Sequence, residues 1–410
     1  MYRRCNAEVS EDMSTLNETP RGERIHIAFF GCRNAGKSSL LNAFAGQEVA
    51  IVSPVKGTTT DPVYKAMELQ PVGPVELIDT PGLDDEDPAL GGMRVRRALE
   101  VLDKTDVAVL VVSAETGVCA ADEEALARIR AKGIPCLCVL NKCDLASGAT
   151  PPDGWLACSA KTGEGIPALA GRLVAAVPVG EERRIVGDLL KPGDLVVLVT
   201  PIDSAAPKGR LILPQQETLR DVLDSGAYAL VVKETELESA LRSLARPPSL
   251  VITDSQAFAV VSRIVPVTVP LTSFSILFAR YKGDLAMLMA GAKAVAALKD
   301  GDRVLVAEGC THHRQEDDIG TVKIPRLLAA KTGKRLVFEH ARGMGYPRDL
   351  GGFALIVHCG GCMLNRREFC RRVAEGRAAG VPVTNYGILL ALLNGILPRC
   401  IEPFHLEAER

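Results

Sequence analysis

Gly31-Cys32-Arg33-Asn34-Ala35-Gly36-Lys37-Ser38 stands between the apolar run Ile25-His26-Ile27-Ala28-Phe29-Phe30 and the segment Ser39-Leu40-Leu41-Asn42-Ala43-Phe44. The run reads as a buried strand and the segment as the opening of a helix. The eight residues between them keep the spacing GxxxxGK[ST] of a phosphate-binding loop. In such a loop the backbone N–H groups surround the phosphates, and the helix presents its positive end to them. Gly31, Asn34, Ala35, Gly36 and Ser39 are expected to line the phosphates. Lys37 is expected to reach the outer ones and Ser38 to bind Mg²⁺. Strand, glycine loop and helix in that order set the fold class as α/β.

Four further motifs follow in order. Gly57-Thr58-Thr59-Thr60-Asp61-Pro62 occupies the place of a first switch, where Thr58 and Thr59 would complete a magnesium shell. Asp79-Thr80-Pro81-Gly82 follows the strand-like Val75-Glu76-Leu77-Ile78, so the Asp79 carboxylate falls at a strand end near the metal, with Gly82 in the turn. Asn141-Lys142-Cys143-Asp144 follows an apolar run from Ile134 to Leu140. The Asp144 carboxylate there can accept two hydrogen bonds from the N1–H and amino group of guanine, a donor pair that adenine lacks. Cys158-Ser159-Ala160-Lys161 supplies a loop over the guanine O6. Together these motifs select GTP with Mg²⁺.

Over residues 24–178 these motifs resemble the Era/TrmE-like branch of translation-factor-type GTPases. Leu83 stands where Ras-like proteins carry a water-positioning glutamine. Asn34 lies where potassium-activated members of the branch hold K⁺ with an asparagine, so the resemblance implies hydrolysis that is slow without K⁺. Lys37, Asn34 and Thr59 are the expected catalytic residues.

Totals bound the remainder. At 410 residues the chain should hold two or three domains, at about 150 residues each. A net charge of −2 argues against a large basic surface for nucleic acid. No run reaches about 18 uninterrupted apolar residues, so no membrane span is expected. The N-terminus has charges but no apolar core, so it is not read as a secretory signal, and residues 1–22 are expected to form a mobile arm. Twelve cysteines suit a reducing cytoplasm, and clustered ones suggest metal. Cys32, Cys119, Cys136, Cys138, Cys143 and Cys158 are scattered and read as small core residues.

After a linker at 175–182, residues 185–266 alternate strands with helices and imply a small parallel sheet without a catalytic constellation. A core of about 80 residues is marginal, so burial against a second copy is expected. Residues 270–410 repeat the alternation. There Arg303-Val304-Leu305-Val306-Ala307 leads toward Cys310-Thr311-His312-His313, and Phe353-Ala354-Leu355-Ile356-Val357 leads into His358-Cys359-Gly360-Gly361-Cys362. In doubly wound sheets, ligands gather beyond the carboxyl ends of the strands, so one rule brings Cys310, Cys359 and Cys362 to one edge. Three thiolates with an exchangeable corner suit a [4Fe-4S] cluster. A closed zinc tetrahedron completed by His312 or His358 suits the spacing equally.

A GTPase region followed by Cys310-x-His312, then 45 residues (313–357), then His358-Cys359-x-x-Cys362 resembles the HydF family of FeFe-hydrogenase maturation GTPases. That resemblance implies three domains: a P-loop GTPase (23–178), a small parallel-sheet dimerisation domain (185–266) and a doubly wound α/β cluster-binding domain (270–410). It implies a [4Fe-4S] cluster on Cys310, Cys359 and Cys362, with His312 and His358 as further or nearby ligands. It also implies a transferable diiron subcluster precursor as cargo. The implied partners are a second copy of the chain, two radical-SAM maturases and the apo-hydrogenase, in an anaerobic cytoplasm without nucleic acid or membrane. Two other readings from the residues are a tRNA- or ribosome-associated GTPase with a structural zinc site and a redox enzyme with an electron-transfer cluster, for which no second cofactor motif is visible.

Overall fold

The computed structural model describes residues 19–46, 61–84, 91–146, 150–178, 183–201, 211–310, 318–343 and 345–406. Its strands form three sheets. The first holds β1 (Ile25–Phe30), β2 (Val63–Leu69), β3 (Gly73–Asp79), β4 (Val107–Ser113), β5 (Cys136–Asn141) and β6 (Leu156–Ala157). Their order is β2-β3-β1-β4-β5-β6, parallel except for β2 against β3. Along β1, Ile27 and Phe29 enter one core and Ala28 and Phe30 the other, as the two-residue period of a strand requires. Val109 and Val111 of β4 join the first core, and Ala108 and Leu110 the second. All seven residues of β4 are buried, which accounts for its unbroken apolar run.

The second sheet is β7 (Leu195–Val199), β8 (Tyr228–Val232), β9 (Leu250–Thr253) and β10 (Leu271–Ser273), in the order β10-β9-β7-β8. The third is β11 (Arg303–Glu308), β12 (Val337–Arg342), β13 (Leu355–His358) and β14 (Val383–Asn385), in the order β12-β11-β13-β14. Both are wholly parallel and share one winding. The first strand sits inside, the second flanks it on one side, and the third and fourth lie on the other. In the third sheet the winding reverses between β11 and β13.

Two expectations need correcting. β10 completes the second sheet, so a division at 266–270 cuts that sheet. A three-residue strand between Pro270 and a helix has too little pattern to register. The arm also stops earlier than expected. Arg21–Glu23 forms a short 3₁₀ turn with Gly22 buried, and a Cβ on Gly22 would lie 2.6 Å from the Cys362 carbonyl oxygen.

The helix Phe274–Lys282 joins the second and third sheets as a shared wall. Phe274, Leu277 and Phe278 pack into the core of the second sheet, while Ile276 and Ala279 pack into that of the third. Among the described residues no helix is long and apolar enough to cross a membrane.

Candidate functional site

The loop between β1 and the helix Lys37–Ala45 forms the nucleotide cradle. Gly31 has φ of 143°, and a Cβ there would lie 2.1 Å from the Val111 carbonyl oxygen, so only glycine lets the loop pass β4. Asn34 sits at φ 59° with an exposed side chain, a left-handed conformation that asparagine tolerates better than most residues. Lys37 is 7% exposed, and its Nζ donates to the carbonyls of Gly31 and Cys32, each at 2.9 Å. Burial lowers its pKa, opposed by Asp79.

Ser38 Oγ donates to Asp79 Oδ2 at 2.6 Å. Asp79 is fully buried at the end of β3, and its Oδ1 has no hydrogen-bond partner. Burial raises its pKa against the pull of Ser38 and Lys37. A hydroxyl and an orphaned carboxylate oxygen side by side fit a hard divalent cation such as Mg²⁺.

Asn141 ties the cradle to the base loops. Its Nδ2 donates to the Ala35 carbonyl at 3.0 Å, and its Oδ1 accepts Ala160 N–H at 3.1 Å. Ser159 Oγ donates to Asp144 Oδ1 at 2.7 Å, leaving the other carboxylate oxygen for a base edge. Lys142, at φ 63°, pairs with Glu115 at 2.7 Å, and Lys161 is exposed. Gly36 abuts Asn141, Gly82 abuts Arg33, and Ser39 continues the helix. Thr58 and Thr59 lie outside the described residues.

The thiols meet where the third sheet reverses. Ala307 of β11 pairs with His358 of β13, and Cys359 N–H donates to the Ala307 carbonyl at 2.8 Å. Cys310 and Cys359 therefore leave the carboxyl ends of two adjacent strands at the switch point. Cys359 Sγ accepts N–H groups from Gly309 at 3.2 Å and Gly361 at 3.4 Å. Gly361 has φ of 70°, and a Cβ on it would lie 2.6 Å from the Phe369 ring. Gly360 carries no such constraint, so one of the two glycines sets the turn.

Burial pushes the Cys310 thiol up to about 12, with Cys359 adding to it. Burial also raises Cys362, and the charges of Cys359 and Cys310 raise it further. For Cys359 burial again dominates, while the two N–H donors oppose it. The three sulfurs thus share one electrostatic neighbourhood. Their Sγ atoms do not all lie within 4.8 Å of one another. Thiolates on one tetrahedral zinc would sit about 3.8 Å apart, given Zn–S bonds of about 2.3 Å.

His358 does not join the thiols. It is fully buried, with Nδ1 at 2.9 Å from the Cys359 carbonyl and its ring 5.0 Å edge-on to Phe369. Burial and the Arg372 charge bring its pKa down to about 4. Neighbouring residues at a strand end point to opposite sides, so a histidine beside a ligating cysteine is turned away from it. His312 lies outside the described residues.

Beneath the thiol loop runs the helix Arg366–Ala378. Arg372 is 1% exposed and Glu368 3%, and Arg372 Nε donates to Glu368 Oε1 at 2.7 Å. Burial would raise the Glu368 pKa, but Arg371 and Arg372 together bring it below the ordinary value. A depressed carboxylate stabilises the fold above the ordinary carboxylate range and loses that contribution as pH falls through its folded pKa. Glu368→Ala, which strands a buried guanidinium, should cost about 3–5 kcal/mol in urea unfolding at pH 7. The deficit relative to wild type should shrink as pH falls through the depressed folded-state pKa of Glu368.

Sequence reading missed the contacts that join the two sites. Lys282 is 1% exposed and donates to the carbonyls of Gly22 and Leu364, each at 2.9 Å, and it pairs with Glu23. Asn365 Nδ2 donates to the Lys104 carbonyl at 2.7 Å, and Arg367 to that of Lys132 at 2.7 Å. The thiol loop is thereby seated on the nucleotide domain. Glu217, on the helix Leu213–Asp224, offers two buried carboxylate oxygens without partners. Burial and Glu23 push its pKa up to about 8, and its charge acts on Cys362. These residues come from distant segments, and no local spacing marks them.

Three family models match along the chain in order. Residues 26–142 match the 50S ribosome-binding GTPase, residues 185–283 the Hydrogen maturase F dimerization domain, and residues 286–403 the Hydrogen maturase F tetramerization domain. The last is a role absent from the sequence reading. The tRNA modification GTPase MnmE of Laribacter hongkongensis is 36% identical over 181 residues, which are 42% of this chain and 40% of that protein. The MnmE of Thiobacillus denitrificans is 39% identical over 157 residues, 38% of this chain and 34% of that one. The chain thus spans well under half the length of these relatives. Among solved structures, a variant of Aquifex aeolicus Era bound to GDP.AlF4- is similar at 22% identity and a TM-score of 0.35, covering 51% of this chain and 92% of that one.

Proposed function

Because the chain belongs to the hydrogen maturase F family, carrying its dimerization and tetramerization domains behind a GTPase domain, we propose that it is an iron–sulfur scaffold and carrier. It assembles the diiron subcluster of FeFe-hydrogenase and delivers it to the apo-enzyme. The reading divides the chain into a GTP-binding unit (23–178), a dimerisation unit running from 185 through β10, and a cluster-binding unit to the C-terminus. The observation that carries it is the meeting of Cys310 and Cys359 at the ends of adjacent β11 and β13, with Cys362 in the same turn. The paired N–H donors on Cys359 Sγ fit a cluster-bound thiolate. Cys310, Cys359 and Cys362 would hold a [4Fe-4S] cluster, which would supply an exchangeable iron site for the diiron cargo.

In the other site Lys37 and the loop amides hold the phosphates, Ser38 and Asp79 hold Mg²⁺, and Asn141 and Asp144 with the Ser159–Lys161 loop hold guanine. Asn34, exposed at the rim, contributes to a K⁺ site that raises a slow hydrolysis rate. Replacing Asn34 by glycine keeps the left-handed backbone and removes the carboxamide. Hydrolysis in KCl should then drop to the rate seen in NaCl, with GTP affinity within about twofold. An unchanged KCl:NaCl ratio would remove Asn34 from that role.

Self-association is read through β8, the edge of the second sheet, where Tyr228 is 62% and Val231 37% exposed. The partners in this reading are two radical-SAM maturases and the apo-hydrogenase, in a reducing, anaerobic cytoplasm. Purification without oxygen, followed by iron and zinc counts, EPR and mixing with apo-hydrogenase, tests the whole. Activation of the apo-enzyme by loaded protein is expected. A colourless protein with one zinc per chain would favour the tRNA- or ribosome-associated reading.

A further inference from the structure

Cys32 lies in the phosphate loop and Cys119 lies 87 positions later, yet their Sγ atoms are 2.6 Å apart. The two thiols are therefore in direct contact. The sequence reading placed both among small core thiols. Instead, both are partly exposed, and Asp122 holds them together. Asp122 is 1% exposed, and its Oδ1 accepts Cys32 N–H while its Oδ2 accepts Cys119 N–H, each at 3.2 Å. One buried carboxylate thus fixes two backbone segments, from the phosphate loop and from the start of the helix Ala120–Ala131, with their sulfurs facing. Among the described residues this is the one group of three His, Cys, Asp or Glu side chains whose ligand atoms lie within 4.8 Å. A shared metal ion is the less fitting occupant, because two thiolates on one zinc stand about 3.8 Å apart and Asp122 already spends both oxygens on backbone donors.

We propose that Cys32 and Cys119 form a reversible disulfide that ties the phosphate loop to the helix Ala120–Ala131. The co-reactant is a small disulfide, such as an oxidised low-molecular-weight thiol. Cys119 Sγ, as thiolate, attacks one sulfur of that disulfide and expels a thiolate, giving a mixed disulfide. Cys32 Sγ then attacks Cys119 Sγ, forming the Cys32–Cys119 bond and expelling the second thiolate. Two cysteines lose two electrons, the small disulfide gains them, and the two thiol protons end on the two released thiolates. The sulfurs already face each other. Lys37 bonds to the Cys32 carbonyl, so the linkage sits one peptide group from the phosphate-binding lysine.

The test uses the full-length protein, equilibrated with oxidised and reduced glutathione, quenched with N-ethylmaleimide in denaturant, and digested without reductant for mass spectrometry. A linked peptide pair containing Cys32 and Cys119 is expected, about 2 Da lighter than the sum of its thiol forms and abolished by dithiothreitol. Cys119→Ser should remove the linked pair and leave Cys32 alkylated. The oxidised wild type should melt at higher temperature than the reduced protein, because the bond closes a long loop in the unfolded chain, and Cys119→Ser should lose that difference. Independent alkylation of both thiols across the glutathione series would overturn the proposal. So would protection of both thiols that a chelator, rather than a reductant, removes, since that identifies a metal.

Discussion

Cys359→Ser, purified without oxygen, should lose its brown colour and EPR signal, with iron falling from about four atoms per chain to near zero. Of the three thiols, Cys359 is the one set in place by the sheet itself. Its N–H is bonded to β11, and its sulfur accepts two backbone donors from the glycines on either side of the site. Serine places a harder oxygen there and a shorter reach, and soft iron sites discriminate against it. Hydrolysis of GTP should stay within about twofold, because Asp79 ends a strand of the first sheet and Lys37 opens the helix after β1, while Cys359 follows β13 of the third sheet. Cys400→Ser is the control. That thiol is fully buried in the core of the third domain, and burial pushes it up to about 12. Its replacement should lower the melting temperature and leave iron per folded chain unchanged. Wild-type iron in Cys359→Ser would remove the thiol cluster from the account.

The two sites differ in how far the sequence exposes them, and the reason is physical. A phosphate loop is local: eight consecutive residues set its amides, its lysine and its helix, so Gly31 to Ser38 are readable from spacing. Cys310 and Cys359 become readable only through a topological rule, that strand ends at a reversal of winding face each other. His358 shows the limit of proximity in the chain. It adjoins Cys359, but strand alternation sends it into the core against Phe369 and Arg372. Gly22, Glu23, Lys282 and Asn365 carry no local signature at all. Their value lies in contacts spanning from 82 to 261 positions, which pin the thiol loop to the nucleotide domain. Cys32 and Cys119 were hidden for the same reason, each unremarkable until the fold placed it on Asp122.

Lys37→Ala should lower GTP turnover by roughly 10²–10³-fold. The side chain is nearly sealed, and its Nζ is held by two carbonyls of the loop, so its charge is pre-aimed at the place the outer phosphates take. Alanine leaves those carbonyls facing the phosphates with no cation between them, which converts attraction into repulsion. Lys37→Arg separates charge from shape, since it keeps the cation but cannot seat a planar fork in a space made for one ammonium. It should recover nucleotide binding better than hydrolysis. Iron content and EPR should be unchanged in both variants, because the phosphate loop contributes no atom to the thiol site. Apo-hydrogenase activation then becomes the informative readout. If Lys37→Ala, loaded with its cluster and cargo, still activates the apo-enzyme in one round, hydrolysis serves a later step such as partner release. If activation fails while iron is retained, the nucleotide acts on delivery itself. The seat of the thiol loop on Lys104 and Gly22 is the contact through which such an effect would pass. Loss of iron together with hydrolysis would mean that the two sites are not independent, and the scaffold reading would have to treat them as one.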